Sequence, residues 1–281
     1  MNPSPFRPPT WRQRWQAFRA MATTELRIMS RYPVQFVTSF FQVFLIIGIF
    51  ALAGLAFTPR HGAASTEMAG VVAYGFLVYL FFSDILWTIG YRVREEQIQG
   101  TLEQLYLTPA SKIAALMARS VLIFTWSGLL GLTGIWLLRG LLGQMPVQHP
   151  GWALLALGLT LMGTFGVGLL FAGVTLRLKE AANTLVGFSQ FVVIVLSAAF
   201  FPFRALPPFL WALARWFPIS WGVDAFRSAL MGFPPGYPEL APFAWEIKGL
   251  VLFALLMPLV GVGAYRWAER RARQTGALGE Y

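Results

Sequence analysis

The sequence predicts an all-α integral membrane fold of six transmembrane helices. Three observations carry that expectation: a shortage of charge, six long apolar runs, and a lopsided placement of the basic residues. Of 281 residues, 57% are hydrophobic and 12% charged, where a soluble domain carries about 25% charged residues. Mean hydropathy is +0.60. The apolar runs lie at about 34–57, 69–91, 113–138, 152–176, 181–203 and 249–265. At about 1.5 Å of rise per residue, each crosses most of a hydrocarbon core about 30 Å thick. The first, fourth, fifth and sixth contain no Asp, Glu, Lys or Arg. A soluble bundle would need six helices apolar on every face, more than a chain this long can bury.

The formal charge of +10 raises the question of nucleic acid, and its placement answers it. Segments 1–33, 92–112, 177–180 and 266–281 lie on one side of a six-span chain and hold fifteen Lys/Arg in 74 residues. Segments 58–68, 139–151 and 204–248 lie on the other and hold six in 69. The positive-inside rule then places both termini in the cytoplasm of a bacterial-type plasma membrane. The basic excess reads as orientation and contact with anionic membrane lipids, not as nucleic-acid binding.

Before the first run, Trp11, Trp15, Phe18, Ala22, Leu26 and Met29 form one stripe at helical spacing, with Arg12, Arg19, Arg27 and Arg31 off it. Two Trp beside several Arg describe an interfacial helix in the headgroup layer or a helix packed on a cytoplasmic partner. The polar segment 1–33 leaves no cleavable signal pattern. The expected organisation is residues 1–33 as tail and amphipathic helix, 34–267 as one six-span domain, and 268–281 as a cytoplasmic tail.

Residues 204–248 mix Trp211, Trp216 and Phe217 with Arg204, Arg215, Asp224, Arg227, Glu239 and Glu246, and with seven prolines. A seventh span here would bury charges at several kcal/mol each and put the arginine-rich C-terminus outside. Two short helices, about 207–216 and 220–231, that dip into the outer leaflet and return fit better.

The stretch from Arg92 to Ser111 connects the second and third runs on the cytoplasmic side. As a helix over about 95–106, it gathers Ile98, Leu102, Leu105 and Tyr106 on one face and Glu96, Gln99, Gly100 and Glu103 on the other. Thr108-Pro109 ends it and Ser111 caps the next helix. Such a helix suits docking into a partner's groove, and it equally describes a solvated loop helix.

The run Glu95-Glu96-Gln97-Ile98-Gln99-Gly100-Thr101-Leu102-Glu103-Gln104-Leu105, followed by Thr108-Pro109, resembles the coupling loop of ABC-2 type permeases. This is the transmembrane subunit of ABC exporters in the daunorubicin-resistance and polysaccharide-export superfamily. Phe201-Pro202-Phe203-Arg204-Ala205-Leu206-Pro207-Pro208, through Phe217-Pro218 to Asp224-Ala225-Phe226-Arg227, is similar to that family's outer re-entrant segment. Phe217 departs from it, since many relatives carry Asn before that proline. The resemblance implies a non-catalytic subunit whose energy comes from a separate ABC ATPase, with ATP and Mg bound there and not on this chain. It implies a second permease copy or a sister permease, and Glu95, Glu96, Gln99, Gly100, Thr101 and Glu103 as the ATPase contact. The residues agree on one point independently. A phosphate-cradling loop needs Gly-Lys-Ser/Thr, yet Lys112, Lys179 and Lys248 follow Ser111, Leu178 and Ile247.

Two charges fall inside the runs. Asp84, in the second, and Arg119, in the third, lie at similar depth, so Asp84 either pairs with Arg119 or serves the translocation path. Asp224 and Arg227, three apart, suit a local structural ion pair. Phe188, Phe191, Phe200 and Phe201 either line an apolar conduit or face lipid and core. Without cysteine, disulfides, thiol catalysis and Cys-ligated metals are excluded. The two histidines, His61 and His149, are too far apart in sequence to suggest a metal site. No run carries the parts of a nucleophilic, metal or paired-carboxylate enzyme. The expected function is export of an amphipathic, drug-like or lipid-linked substrate. Export of a polysaccharide and an ATP-independent channel or structural protein are the competing readings.

Overall fold

Apolar runs become long helices where neither proline nor polar side chains interrupt them, and the computed structural model follows that logic closely. It describes residues 33–56, 63–91, 125–134, 146–178 and 181–274, with single positions at 16, 19, 23, 27, 31, 136, 139 and 140. Every regular element among them is helical. Helix α1 spans Pro33–Ala56, its proline in the first turn, where a missing N–H costs least. Helix α2 spans Ala63–Leu86 and runs into a π turn, Trp87–Tyr91. A helical stretch at 125–134 follows, then α3 (Pro150–Leu178), α4 (Ala181–Leu196), α5 (Pro208–Ala214), α6 (Pro218–Met231) and α7 (Phe243–Gln274).

Among the described residues three helices are long and apolar enough to cross a membrane, at Met68–Ile89, Pro150–Thr175 and Phe243–Ala272. Val37–Ile46 and Thr184–Leu196 are shorter apolar helices. The outward side chains are apolar: Val34, Phe41, Leu45 and Ile49 on α1, and Leu252, Leu255, Leu259 and Val260 on α7 are all exposed. Continuous apolar surface of this kind suits hydrocarbon and not water.

Two boundaries differ from the sequence expectation. The fifth run, read as 181–203, stops being a helix at Leu196. Ala198 then turns left-handed at φ 47°, and Pro202 cannot donate to a continuing helix. The sixth, read as 249–265, begins at Phe243 and continues to Gln274. Hydropathy ended it early because arginines enter at Arg266, yet Arg271 lies over the Trp267 ring at 5.3 Å and the helix continues through them. The two short helices expected at about 207–216 and 220–231 run Pro208–Ala214 and Pro218–Met231.

Helix α7 packs along α3, α6 packs on α2, α3 and α7, and α1 packs on α2. The α3–α7 crossing brings backbones into contact. A Cβ on Gly166 would overlap the Met257 carbonyl and the Pro258 nitrogen, and Gly261 faces the Gly166 carbonyl in the same way. Small residues at such crossings are what membrane helices use where the hydrophobic effect gives no drive to associate. One core joins Tyr74, Phe76, Leu77 and Phe81 of α2 to Val223, Phe226 and Leu230 of α6. A second joins Phe82 and Leu86 to Val186, Val193, Ile219 and Phe253. The segments 1–15, 92–124 and 275–281, with Arg119 and the coupling-loop residues Glu95, Glu96, Gln99, Gly100, Thr101 and Glu103, lie outside the described residues.

Candidate functional site

Helix α6 is the centre of the molecule. All of its residues from Ser220 to Met231 but Trp221 are buried, Asp224, Arg227 and Ser228 included. A charged side chain cannot sit in such a place without partners, and these side chains find theirs on backbone. The Arg227 guanidinium donates to the Ala198 carbonyl at 2.8 Å and the Phe201 carbonyl at 3.2 Å, and it lies 5.4 Å from the Phe203 ring centre. The Ser220 hydroxyl donates to the Leu196 carbonyl at 2.9 Å. The freed carbonyls at the C-terminal end of α4 are thereby taken up by α6. Asp224 Oδ2 accepts from the Glu239 and Leu240 N–H groups at 2.8 Å each, which pins the loop that leads into α7. Burial pushes the Asp224 carboxyl up to about 6, while Arg227 and the Leu240 N–H pull the other way.

So the sequence-expected pair, Asp224 and Arg227, is held in one buried patch and coupled electrostatically. Each also makes its hydrogen bonds to backbone of a different chain segment. Arg204 extends the network: its N–H donates to Glu239 Oε2 at 2.6 Å and its guanidinium to the Tyr237 hydroxyl at 3.2 Å. Glu246, at the start of α7, is also buried beside Asp224. Gly75 of α2 lies directly against this patch. A Cβ there would stand 2.6 Å from Arg227 Nη2 and overlap the Ala199 carbonyl.

A second polar set lies inside the apolar bundle. Asp84 accepts a hydrogen bond from the Ser127 hydroxyl. Next to it in sequence, Ser83 accepts from the Gln190 amide at 2.8 Å. These bonds tie α2 to the 125–134 stretch and to α4, one helical turn before the π turn at Trp87. Polar groups within a membrane bundle face its interior and each other. Whether Arg119 joins Asp84 falls outside the described residues.

The aromatic candidates separate. Phe188 lines an apolar cavity of about 400 Å³ with Phe82, Phe171, Phe217 and Phe253. Phe191 is 66% exposed on the outer face of α4. Phe200 packs on Phe76 and Tyr79, with ring centres 5.3 and 6.2 Å away, and Phe201 packs against the Phe203 core. Ser127, Gln190 and Glu246 were missed in the sequence reading. Gln190 had a signal, an amide in a run without charge. Glu246 had none, because it stood among loop residues until α7 was seen to begin at Phe243. Among the described residues there is no group of His, Asp and Glu fit to hold a metal ion.

A family model described as ABC-2 family transporter protein matches residues 61–262, well over half of the chain and from the start of α2 to the latter part of α7. No curated protein matches the chain.

Proposed function

Since the chain belongs to the ABC-2 transporter family, we propose that it is the permease subunit of an ATP-driven exporter, carrying an amphipathic, drug-like or lipid-linked substrate. Its engine is a separate ABC ATPase, which binds ATP and Mg. A second copy or a sister permease completes the path. The family match supports the transport role, and the buried α6 supports the way force is used. In this reading six spans cross a bacterial plasma membrane with both termini inside, and α5 and α6 form the outer re-entrant segment.

Glu95, Glu96, Gln99, Gly100, Thr101 and Glu103 contact the ATPase on the cytoplasmic side, where Gly100 permits close backbone approach and the acids offer charge-assisted pairs. ATP-driven closure of the ATPase moves α2 through this loop. Helix α2 bears on α6 through Gly75 and Tyr74, and α6 holds the end of α4 through Arg227. In this reading, motion at the cytoplasmic loop reaches the outer segment through the packed side chains of α2 and α6. Asp84, Phe188 and Phe191 are its candidates for the translocation path; the cavity beside Phe188 supports that residue, while the exposure of Phe191 suits lipid.

The test is association. The purified chain is mixed with a candidate ABC ATPase subunit from the same organism, and ATPase retention on the tagged permease is measured. Stoichiometric retention supports the reading. No retention, with a folded permease, leaves the channel or structural reading. Because the chain has no cysteine, single-cysteine labelling at positions 2 and 235 checks the orientation without any background substitution.

A further inference from the structure

The N-terminal end of α7, with α5 and the start of α6, borders a cavity of about 770 Å³, within the range of about 300–1,000 Å³ that small-molecule sites occupy. Its walls carry four indoles, those of Trp211, Trp216, Trp221 and Trp245. Trp216 is 84% exposed, so the cavity opens to the surface. Two contacts set Trp221 in place. Its Nε1 donates to the Arg215 carbonyl at 3.0 Å, and a Cβ on Gly249 would overlap its ring, so the glycine lets the indole lie against α7. Two cations line the cavity, Arg215 and Lys248, both exposed. Arg215 stands 4.9 Å from the Trp211 ring centre and Lys248 5.4 Å from that of Trp245. An indole face attracts a cation without using up its N–H donors, so both heads keep donors for an anion. The acid in the wall does not offset them. Both Glu246 carboxyl oxygens are fully buried, beside Asp224 and the Ala241 N–H. The other acids of 204–248 are turned to backbone: Asp224 accepts from the Glu239 and Leu240 N–H groups, and Glu239 from that of Arg204.

The accessible charge of the cavity is therefore positive, on walls that are otherwise flat and aromatic. In the proposed orientation both cations lie on the outer side, where the positive-inside rule gives no reason for Lys and Arg. Flat indole walls suit a rigid ring, which loses less conformational freedom on binding than a flexible acyl chain does. We infer that this cavity binds an amphipathic organic anion, a ring-bearing sulfonate or carboxylate, with its apolar body on the indoles and its anionic group at the exposed cations Arg215 and Lys248. A cationic amphiphile of the same shape is disfavoured, because no accessible carboxylate meets it there. The inference gives the amphipathic cargo of the proposed exporter a charge. Only the ligand's standing as cargo rests on the exporter reading; binding itself needs no ATPase.

The experiment uses the full-length purified chain without any ATPase, in equilibrium dialysis with the same non-ionic detergent on both sides. The probes are naphthalene-2-sulfonate and its cationic counterpart, 2-naphthyltrimethylammonium. The sulfonate is expected to bind tighter on the order of tenfold, the effect of one charge-assisted hydrogen bond. Trp216→Ala, at an exposed position, weakens both probes, because each loses an indole. Arg215→Ala with Lys248→Ala removes the preference for the anion. Arg215→Glu with Lys248→Glu reverses it in favour of the ammonium, an outcome that misfolding does not produce. Failure of the unaltered chain to bind the sulfonate saturably, or equal binding of the two probes, overturns the proposal. So does a preference for the anion that survives the charge reversal. Phosphatidylglycerol that displaces the sulfonate at equal concentration overturns it too, by assigning the cavity to a lipid headgroup.

Discussion

The Arg227 guanidinium reaches from the middle of α6 to the Ala198 carbonyl, 2.8 Å away and 29 positions earlier in the chain. Ala198 is in the left-handed region, at φ 47°, a conformation that costs a non-glycine residue energy unless its surroundings hold it. The bond joins the end of one apolar helix to a short helix buried under it.

Removing that bond tests the tie between α6 and the end of α4. Arg227→Met strands the carbonyls of Ala198 and Phe201 and leaves Asp224 without its opposing charge. Loss of about 3 kcal/mol is expected, read as a lower unfolding temperature in detergent. Arg227→Lys recovers little, since one ammonium replaces a planar fork aimed at two carbonyls. An unchanged unfolding temperature for Arg227→Met contradicts the assignment.

Gly75→Ala attacks the same contact from α2. The added methyl meets Arg227 Nη2 and the Ala199 carbonyl, and overpacking of this sort costs about 1–3 kcal/mol. Combined with Arg227→Met, the two losses come to less than additive, because the guanidinium's share of the clash is gone while the clash with the Ala199 carbonyl stays. Strict additivity in that cycle excludes the contact.

Gly166→Val separates α3 from α7 at the Met257–Pro258 backbone. It is expected to destabilise by about 2 kcal/mol or more. Gly158→Val on the same helix, where a Cβ meets nothing, stays within about 0.5 kcal/mol. Similar losses at both glycines contradict the close crossing.

Ser127→Val removes the donor to Asp84 and Gln190→Leu the donor to Ser83. Each is expected to cost about 1 kcal/mol in thermal unfolding, the scale of hydrogen bonds between membrane helices. No loss from either places these groups in water and not in the bundle interior.

Much of this was legible in the sequence, and for identifiable reasons. Helix α3 is apolar on all sides with no charge before Arg177, so run length alone located it. Helix α6 was legible from Phe217-Pro218 at one end and the proline-rich stretch after Met231 at the other. The end of α4 was not. The sequence from Ala198 to Phe201 stays apolar up to Pro202, so the turn at Ala198 has no local polar signal, and the carbonyls freed there are taken up by Arg227 and Ser220 from a distant segment. Asp224 and Arg227 were expected as partners because of their spacing, but their backbone partners come from folding. Glu246 looked like a loop acid until the N-terminal end of α7 enclosed it. The coupling-loop residues remain an inference from their motif.

The most direct measurement is ATP turnover by the partner ATPase in proteoliposomes, with the unaltered chain or with the Glu96→Lys, Glu103→Lys double variant at equal incorporation. Reversal of two acidic contacts is expected to abolish stimulation while the permease stays folded, at a loss of tenfold or more, on the order of one desolvated charge pair. Full stimulation by the double variant would contradict the claim that this chain couples to its ATPase through that loop.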